Sequence, residues 1–485
     1  MQKSNKQKFI VKFFPEIMVK GVKTKRQMIG QLYNNLKTIL NRLDKNITLI
    51  KYSDKIEVEC SNEIVDEVRV KLKDTAGIEV VLEVLQYDNI ITLDEIKHKV
   101  NEIMSHEIQN KSFVIRAKRS GTHDFKSTDI EQIVGGFMLE NNNTNGVSLK
   151  NAQVTINIEL IDKKLNIVTN KYKGLSGFPL GTQGSILSLM SGGFDSTVAS
   201  YMTMKRGMKT HFVFFNLGGL AHEIGVKQVA LYLWSKFSSS HRVSFISIPF
   251  EDVVTEIFKS THETYMGVVL KRLMLKAAQK IADDMGIDAL LTGESIAQVS
   301  SQTLRNLAII DQATDKLILR PLCTMNKLEI IKIANDIGTR RFAETMPEYC
   351  GVISKNPITF GSFKRIAKEE ARFDDTVLQK AVENAVKVNV DEIPNDIKQI
   401  GEIEEVSDIS SKDDYTVVDI RQSNECIETP CDTIKIPFYK LKTQFKKLPK
   451  DKTYLFYCDK GILSQLHAQY LRDQEGYENI KVYRP

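Results

Sequence analysis

Apolar and polar positions alternate in short runs through the first third of the chain, and the runs predict strands separated by amphipathic helices. Residues 7–14 read as a strand and 24–43 as a helix. Residues 47–52 and 55–60 then read as two strands around the turn Ser53-Asp54, 64–72 as a helix and 77–85 as an extended run. That β-α-β-β-α-β order predicts a small ferredoxin-like α+β unit. A second unit follows, with helix 93–109, strand 112–118, helix 127–140 and strands 153–160 and 164–172. From Ser185 onward strands (186–190, 211–216, 243–248, 288–292) alternate with helices (197–206, 223–237, 267–285), which predicts a doubly wound parallel sheet. Continuous apolar strands at 416–420 and 453–457 belong to a last small α/β unit. It is preceded by residues 391–414, where nine acids stand against two lysines and read as a linker.

Composition adds limits to this multidomain α/β picture. The 485 residues suffice for three or four domains. No apolar run approaches the ~20 residues that span a bilayer, and the N-terminus lacks the apolar core of a secretory signal. A cytoplasmic protein without a membrane partner is expected. The six cysteines (60, 323, 350, 426, 431, 458) contain no CxxC pair, so neither a disulfide scaffold nor a structural metal site is expected. In a reducing compartment any disulfide would be transient and catalytic. Charge matters more by place than by its net +6. Residues 1–26 carry eight Lys or Arg against Glu16. The run containing Arg116, Lys118, Arg119, His123 and Lys126, with Phe125 among them, is also basic. Such runs suit a phosphate backbone, and equally a solvated face.

The chemistry concentrates at Ser191-Gly192-Gly193-Phe194-Asp195-Ser196, between the apolar run ending at Met190 and a helix-forming segment. A strand turning into a helix through two glycines gathers backbone N–H groups and a positive helix end at one point. Two serine hydroxyls and the Asp195 carboxylate, able to hold Mg²⁺ or a substrate group, complete an arrangement suited to the pyrophosphate of ATP. No lysine follows the glycines, so this is not a GxxxxGK[ST] loop. The S-G-G-x-D-S run resembles the signature of the PP-loop ATPases. That resemblance implies cleavage of ATP to AMP and pyrophosphate, with a carbonyl oxygen activated as its adenylate.

A second centre is Cys458-Asp459-Lys460-Gly461-Ile462-Leu463-Ser464, a cysteine at a strand end on a loop closed by glycine and serine. Converging N–H groups there would stabilise a thiolate or a persulfide. This loop, with Asp419-Ile420-Arg421 and Asn424-Glu425, resembles that of rhodanese domains. Leu463 replaces an arginine common in free-standing thiosulfate sulfurtransferases, and the unit is short; both points favour a sulfur relay. Cys350 lies between Pro347 and Gly351 in an irregular segment and is a candidate partner thiol.

From end to end the chain resembles the ThiI family of tRNA 4-thiouridine synthetases, in its long form with a rhodanese domain. The resemblance rests on Phe14-Pro15-Glu16-Ile17, the basic run at 116–125, residues 177–184, the Ser191–Ser196 loop, and Thr292 to Thr303. Arg320-Pro321-Leu322 with Lys327 and the two cysteine segments complete it. It implies an N-terminal ferredoxin-like domain at 1–75, a THUMP RNA-binding domain at 76–175 and a PP-loop domain at 176–390. A linker at 391–414 and a rhodanese-like domain at 415–485 would follow. It further implies that Met190, Ser191, Gly192, Gly193, Asp195, Ser196, Gly293, Glu294 and Gln302 bind ATP with Mg²⁺. Lys327 would neutralise charge as pyrophosphate leaves; Asn326 stands where an Asp often precedes that lysine. Arg116, Lys118, Arg119, His123 and Lys126 would meet tRNA. Sulfur loaded on Cys458 by a cysteine desulfurase would go to C4 of a uridine, at tRNA position 8 in that family. A Cys350–Cys458 disulfide would remain for a cellular reductant. Supply of sulfur for thiamine thiazole synthesis, and a homodimer, are further possibilities. The acidic stretch, if flexible, would reach about 25–30 Å. Two other readings stay open: a PP-loop ligase or amidotransferase acting on RNA, and a sulfur carrier that performs no thiolation.

Overall fold

The computed structural model describes residues 6–217, 219–344, 356–394, 403–410, 414–421, 426–436, 441–449, 451–458, 464, 467–468, 471–472 and 476–485. The chain divides into two compact units, Met1–Gln183 with Lys205–Gly207, and Gly184–Met204 with Met208–Pro485.

In the first unit, strands β1 (Lys6–Phe13), β2 (Thr48–Lys51), β3 (Lys55–Ser61), β4 (Ile78–Tyr87), β5 (Phe113–Ser120), β6 (Val154–Ile161) and β7 (Lys164–Ser176) form one sheet. Its order is β2-β3-β1-β4-β7-β6-β5, and β5–β6 is its parallel pair. The period of two sorts β1: Phe9, Val11 and Phe13 enter the core, and Lys8, Ile10 and Lys12 take the opposite face. Helices α1 (Pro15–Met18), α2 (Val22–Leu40) and α3 (Val65–Lys73) belong to this half. Leu32 and Leu36 of α2 and Val68 and Leu72 of α3 share that core. Helices α4 (Leu93–Met104) and α5 (Ser127–Asn141) bury Ile96, Val100, Ile130 and Val134 with Ile115, Ile156 and Ile167 in a second core. A capping box of Thr92 and Glu95 starts α4, which ends five residues short of the position 109 expected. The two sequence-predicted units are not separate sheets, because β4 pairs with both β1 and β7.

In the second unit, β8 (Ser185–Leu189), β9 (Lys209–Asn216), β10 (Ser244–Pro249), β11 (Ala289–Leu291), β12 (Leu317–Leu319) and β13 (Val386–Asn389) form a sheet of order β12-β11-β8-β9-β10-β13. Helices α6 (Phe194–Lys205), α7 (Gly219–Leu233), α8 (Glu251–Ser260) and α9 (Met266–Asp284) join its strands. Helices α10 (Leu304–Asp311), α11 (Lys327–Ile337), α12 (Arg340–Ala343), α13 (Phe363–Glu370) and α14 (Asp375–Glu383) follow. Leu187, Val213, Ile246 and Leu290 of the sheet pack with Leu270, Leu273 and Ala277 of α9. The expected parallel sheet is present in its first five strands. The added edge strand β13 runs antiparallel to β10; it is four residues long and no more than half-buried, too short to carry a periodic signal.

A third sheet holds β14 (Glu405–Val406), β15 (Tyr415–Asp419), β16 (Asp432–Lys435), β17 (Thr453–Tyr457) and β18 (Ile480–Tyr483), all parallel, in the order β14-β18-β17-β15-β16. The acidic stretch 391–414 is narrower as a connection than its composition implied. Asp391 pairs with Arg242 at 3.2 Å and Glu392 pairs with it too, whereas Ile403 is buried with the third sheet and β14 adds to its edge. Among the described residues no helix is long and apolar enough to cross a membrane.

Candidate functional site

The glycine turn sits at the carboxyl end of β8, flanked in the sheet by β9 and β11, where open α/β sheets hold their ligands. Met190 is buried and its N–H donates to Val213 O at 2.8 Å, which continues the sheet into the turn. Gly192 takes φ +79°, a conformation glycine adopts without steric cost. Ser196 Oγ closes the turn, accepting from Ser191 N at 3.2 Å and meeting Ser191 Oγ at 3.1 Å. Thr197 Oγ1 donates to Gly193 O at 2.7 Å. Backbone N–H groups at the start of α6 are thus gathered in the turn beside a positive helix end.

Asp195 stands at its mouth. Lys327 Nζ reaches both carboxylate oxygens, at 2.8 and 3.0 Å, and lies 5.5 Å from the Phe194 ring centroid. Asn326, the residue that departs from the family pattern, caps α11 through a box with Glu329 and so sets where Lys327 begins the helix. Gly293, after β11, touches the turn from the other side. A Cβ there would lie 2.5 Å from Asp195 C and Ser196 N, so only glycine lets the two backbones meet.

Glu294 is closed off from solvent. It is 3% exposed and accepts from Arg320 Nε at 2.8 Å and Thr292 Oγ1 at 3.0 Å, with Lys271 Nζ 3.6 Å away. Burial alone would raise its pKa, but the Lys271 and Arg320 cations outweigh it and hold the carboxylate below its ordinary range. Glu294 thus orients the Arg320 and Lys271 cations. Gln302 is buried on a single helical turn, and its Oε1 accepts no hydrogen bond among the described residues.

Three contributors escaped the sequence reasoning. Gln298 donates to Asp195 Oδ2 at 2.8 Å. Lys271 comes from α9. His222, 8% exposed, stands edge-on to Phe214 at 4.8 Å; burial lowers its pKa, opposed by the nearby Ser191 backbone. No local pattern marks any of the three, since each acts on a residue far away in sequence.

The basic run lies on β5 and the turn after it. Arg116, Lys118 and Lys126 are exposed, whereas Arg119 is half-buried, donating to Gly121 O at 3.1 Å and meeting His123 Nδ1 at 3.1 Å. His123 in turn packs on Phe125 at 5.4 Å. Arg116 and Lys118 share one face of the strand, and Arg119 takes the other.

Cys458 follows β17 directly and is 6% exposed, with Ser464 N donating to its Sγ at 3.4 Å. On the neighbouring strand Asp419, fully buried, accepts from Arg421 N and Nε at 3.0 Å, Ile427 N at 2.9 Å and Lys435 Nζ at 3.1 Å. Burial opposes its ionisation, but these donors prevail and hold its pKa at about 2. Arg421 also lies over the Tyr457 ring at 4.9 Å, so the cluster reaches the residue before Cys458. Cys350, Asn424, Glu425 and residues 459–463 lie outside the described residues.

Fold and turn together define a PP-loop nucleotide-binding domain carried on a multidomain α/β chain. Residues 181–374 match the model of the thiamine biosynthesis protein (ThiI) family, 8–81 the ThiI ferredoxin-like domain, 90–170 the THUMP domain and 402–484 the rhodanese-like domain. The tRNA sulfurtransferase of Vibrio vulnificus is 47% identical over 485 residues, covering 99% of this chain and 100% of its own. That of Psychromonas ingrahamii is 46% identical over 488 residues, with 99% and 100% covered. The chain belongs to the ThiI family, that of the tRNA sulfurtransferases. Its fold is shared by a 4-thiouridine synthetase crystallised with RNA and bound ATP, at TM-score 0.70 and 23% identity over 79% of this chain and 99% of that one. PH1313 from Pyrococcus horikoshii also shares it, at TM-score 0.53 and 20% identity over 68% and 99%.

Proposed function

We propose that this protein is an ATP-dependent tRNA uridine 4-sulfurtransferase, divided as 1–75, 76–175, 176–390 and 415–485 into ferredoxin-like, THUMP, PP-loop and rhodanese-like parts. The observation that carries the reading is the Asp195–Lys327 pair at the mouth of the glycine turn. The turn cradles the β- and γ-phosphates of ATP with N–H groups of Gly192, Gly193 and Ser196 and the Ser191 hydroxyl, beside Met190 and Gly293. Gln302 Oε1, buried without a partner among the described residues, accepts from a nucleotide N–H. A single carboxylate with two hydroxyls fits Mg²⁺, which keeps most of its waters and takes its other oxygens from phosphates. Asp195 would hold that ion, which supplies charge neutralisation on the phosphates.

O4 of the target uridine attacks the α-phosphorus as the bond to pyrophosphate breaks, and the N3 proton leaves to solvent. Lys327 neutralises the departing charge, a role suited to a compact cation. The outer sulfur of a Cys458 persulfide then attacks C4 and AMP leaves. Cys350 attacks Cys458 Sγ, which frees the thiolated base and leaves a Cys350–Cys458 disulfide. A cellular reductant returns the two electrons, and a cysteine desulfurase reloads Cys458. Arg116, Lys118 and Lys126 meet phosphates of tRNA, with Arg119 and His123 shaping that turn. The same persulfide would serve thiamine thiazole synthesis.

The test incubates the protein with unmodified tRNA, Mg-ATP, cysteine and a cysteine desulfurase, and reads thiouridine by mercury-gel retardation. ATP-dependent thiolation is expected, and Asp195→Ala should abolish it without loss of tRNA binding. AMP release with no thiolation by the wild type would move the reading to a ligase.

A further inference from the structure

The loop between β11 and α10 is bent at a residue that gains nothing locally from the bend. Ala297 has φ +64°, a left-handed conformation that an alanine adopts only when its neighbours hold it there. They do so on both sides. Ser295 Oγ donates to Met325 O at 2.8 Å and Ile296 N to Cys323 O at 3.0 Å, while Ala297 N donates to Gln302 O at 2.9 Å. The bend delivers the next residue, exposed Gln298, to Asp195 Oδ2.

That contact orients the amide. An ionised carboxylate only accepts, so the Gln298 atom against it is the NH₂ group and Oε1 faces away. Oε1 has no hydrogen-bond partner among the described residues. The outward edge of the amide therefore offers an N–H donor beside a C=O acceptor. Ile296 and Val299, two residues before it and one after it in the chain, are 43% and 49% exposed and offer apolar surface on the same loop. A polar edge for pairing, with apolar side chains to cover flat faces, is what a flipped-out nucleobase requires. Donor beside acceptor complements the O4 and N3–H edge of uracil. Held in the same pose, cytosine, with N4–H and an accepting N3, would need the amide reversed, which would turn Oε1 onto the Asp195 carboxylate.

We infer that Gln298 reads the target uracil at its O4/N3–H edge and selects the base presented to the ATP site. The inference rests on the proposed function and assigns its base specificity. Gln298→Met keeps the length of the side chain and removes both hydrogen bonds to the base. Single-turnover AMP formation with unmodified tRNA should fall roughly 10- to 100-fold, the range for a polar substrate edge left unpaired. Affinity for whole tRNA should stay within about two-fold, and ATP affinity should change far less than in Asp195→Ala, because Lys327 still holds the carboxylate. Gln298→Asn, which keeps the amide on a shorter arm, should recover part of the rate.

Two results would overturn the assignment: unchanged AMP formation in Gln298→Met, or a loss of ATP affinity like that of Asp195→Ala, which would make the amide a prop for Asp195 alone. A second readout is independent of rate. tRNA carrying 5-bromouridine at the target position, irradiated on the wild-type protein, should crosslink to the peptide containing Gln298; a crosslink confined to another peptide would also overturn it. A wild type that forms no AMP with tRNA would sink the functional proposal and this inference together. An active wild type with an unaffected Gln298→Met sinks the inference alone.

Discussion

Asp195 has one negative charge and three hydrogen bonds, two from Lys327 and one from Gln298. Lys327 and Asp195 side chains remain 40% and 23% exposed, so solvent screens the pair and little of the fold depends on it. Its worth lies in placement. In the proposed mechanism a compact ammonium beside the glycine turn follows the charge that develops on a leaving pyrophosphate, and neither folding nor ground-state binding needs that position as strongly. Lys327→Met should therefore lower the rate of AMP formation by about 100-fold or more while moving stability by less than about 1 kcal/mol. Rapid-quench kinetics beside thermal unfolding would separate the two. A variant that unfolds early, with normal turnover per folded molecule, would make the lysine a structural group. Glu294 has the opposite character: nearly inaccessible and shared by two cations, it orients Arg320 and Lys271.

At the scale of elements, the third sheet is fixed around one acid. Asp419 lies at the end of β15, between Lys435 of β16 and the Arg421 guanidinium stacked on Tyr457 of β17. Its folded pKa of about 2 lies below the ordinary carboxylate value. The stabilisation is therefore complete above about pH 4 and is lost as pH falls toward 2. At neutral pH the shift corresponds to about 2 kcal/mol. Asp419→Asn should speed hydrogen exchange in β15 and β17 by that margin at pH 7, leave exchange in β8 to β11 unchanged, and converge on the wild type as pH falls. A gap that persists undiminished at pH 3 would assign the effect to packing.

Elements of this kind also show what the sequence could and could not disclose. The Ser191–Ser196 turn was legible because its geometry is written in two adjacent glycines, and β15 and β17 were legible as continuous apolar runs. β12 and β13 were not, being three and four residues long at sheet edges. The double pairing of β4 was hidden because β7 begins nearly 80 residues later. The acidic stretch misled for another reason: composition reports solvation, whereas Asp391 and Ile403 are fixed by partners outside the stretch or across it. Gln298 stood inside a recognised run without its role, because Asp195, its partner, is 103 residues away.

At the scale of the whole molecule the proposed chemistry divides between two sheets. Every group assigned to adenylation, from the Ser191–Ser196 turn to Gly293, Gln302 and Lys327, belongs to or follows strands and helices of the β8–β13 sheet. Cys458 belongs to the strand end of another, β17. Bond making at O4 needs no thiol, and loading of a persulfide needs no nucleotide, so the two half-reactions should separate in the intact chain. Cys458→Ala should release AMP in the presence of tRNA and Mg-ATP at close to the wild-type single-turnover rate, yet give no thiouridine on a mercury gel. Asp195→Ala should do the reverse, accepting ³⁵S from a cysteine desulfurase onto Cys458 in a reductant-labile form while leaving tRNA unmodified. The crossed pattern is the informative one. If Cys458→Ala also stops AMP formation, the sulfur-bearing sheet takes part in assembling the ATP site, and adenylation waits for a loaded carrier. That ordering would protect the activated base from water, because the adenylate would form only when its nucleophile is at hand.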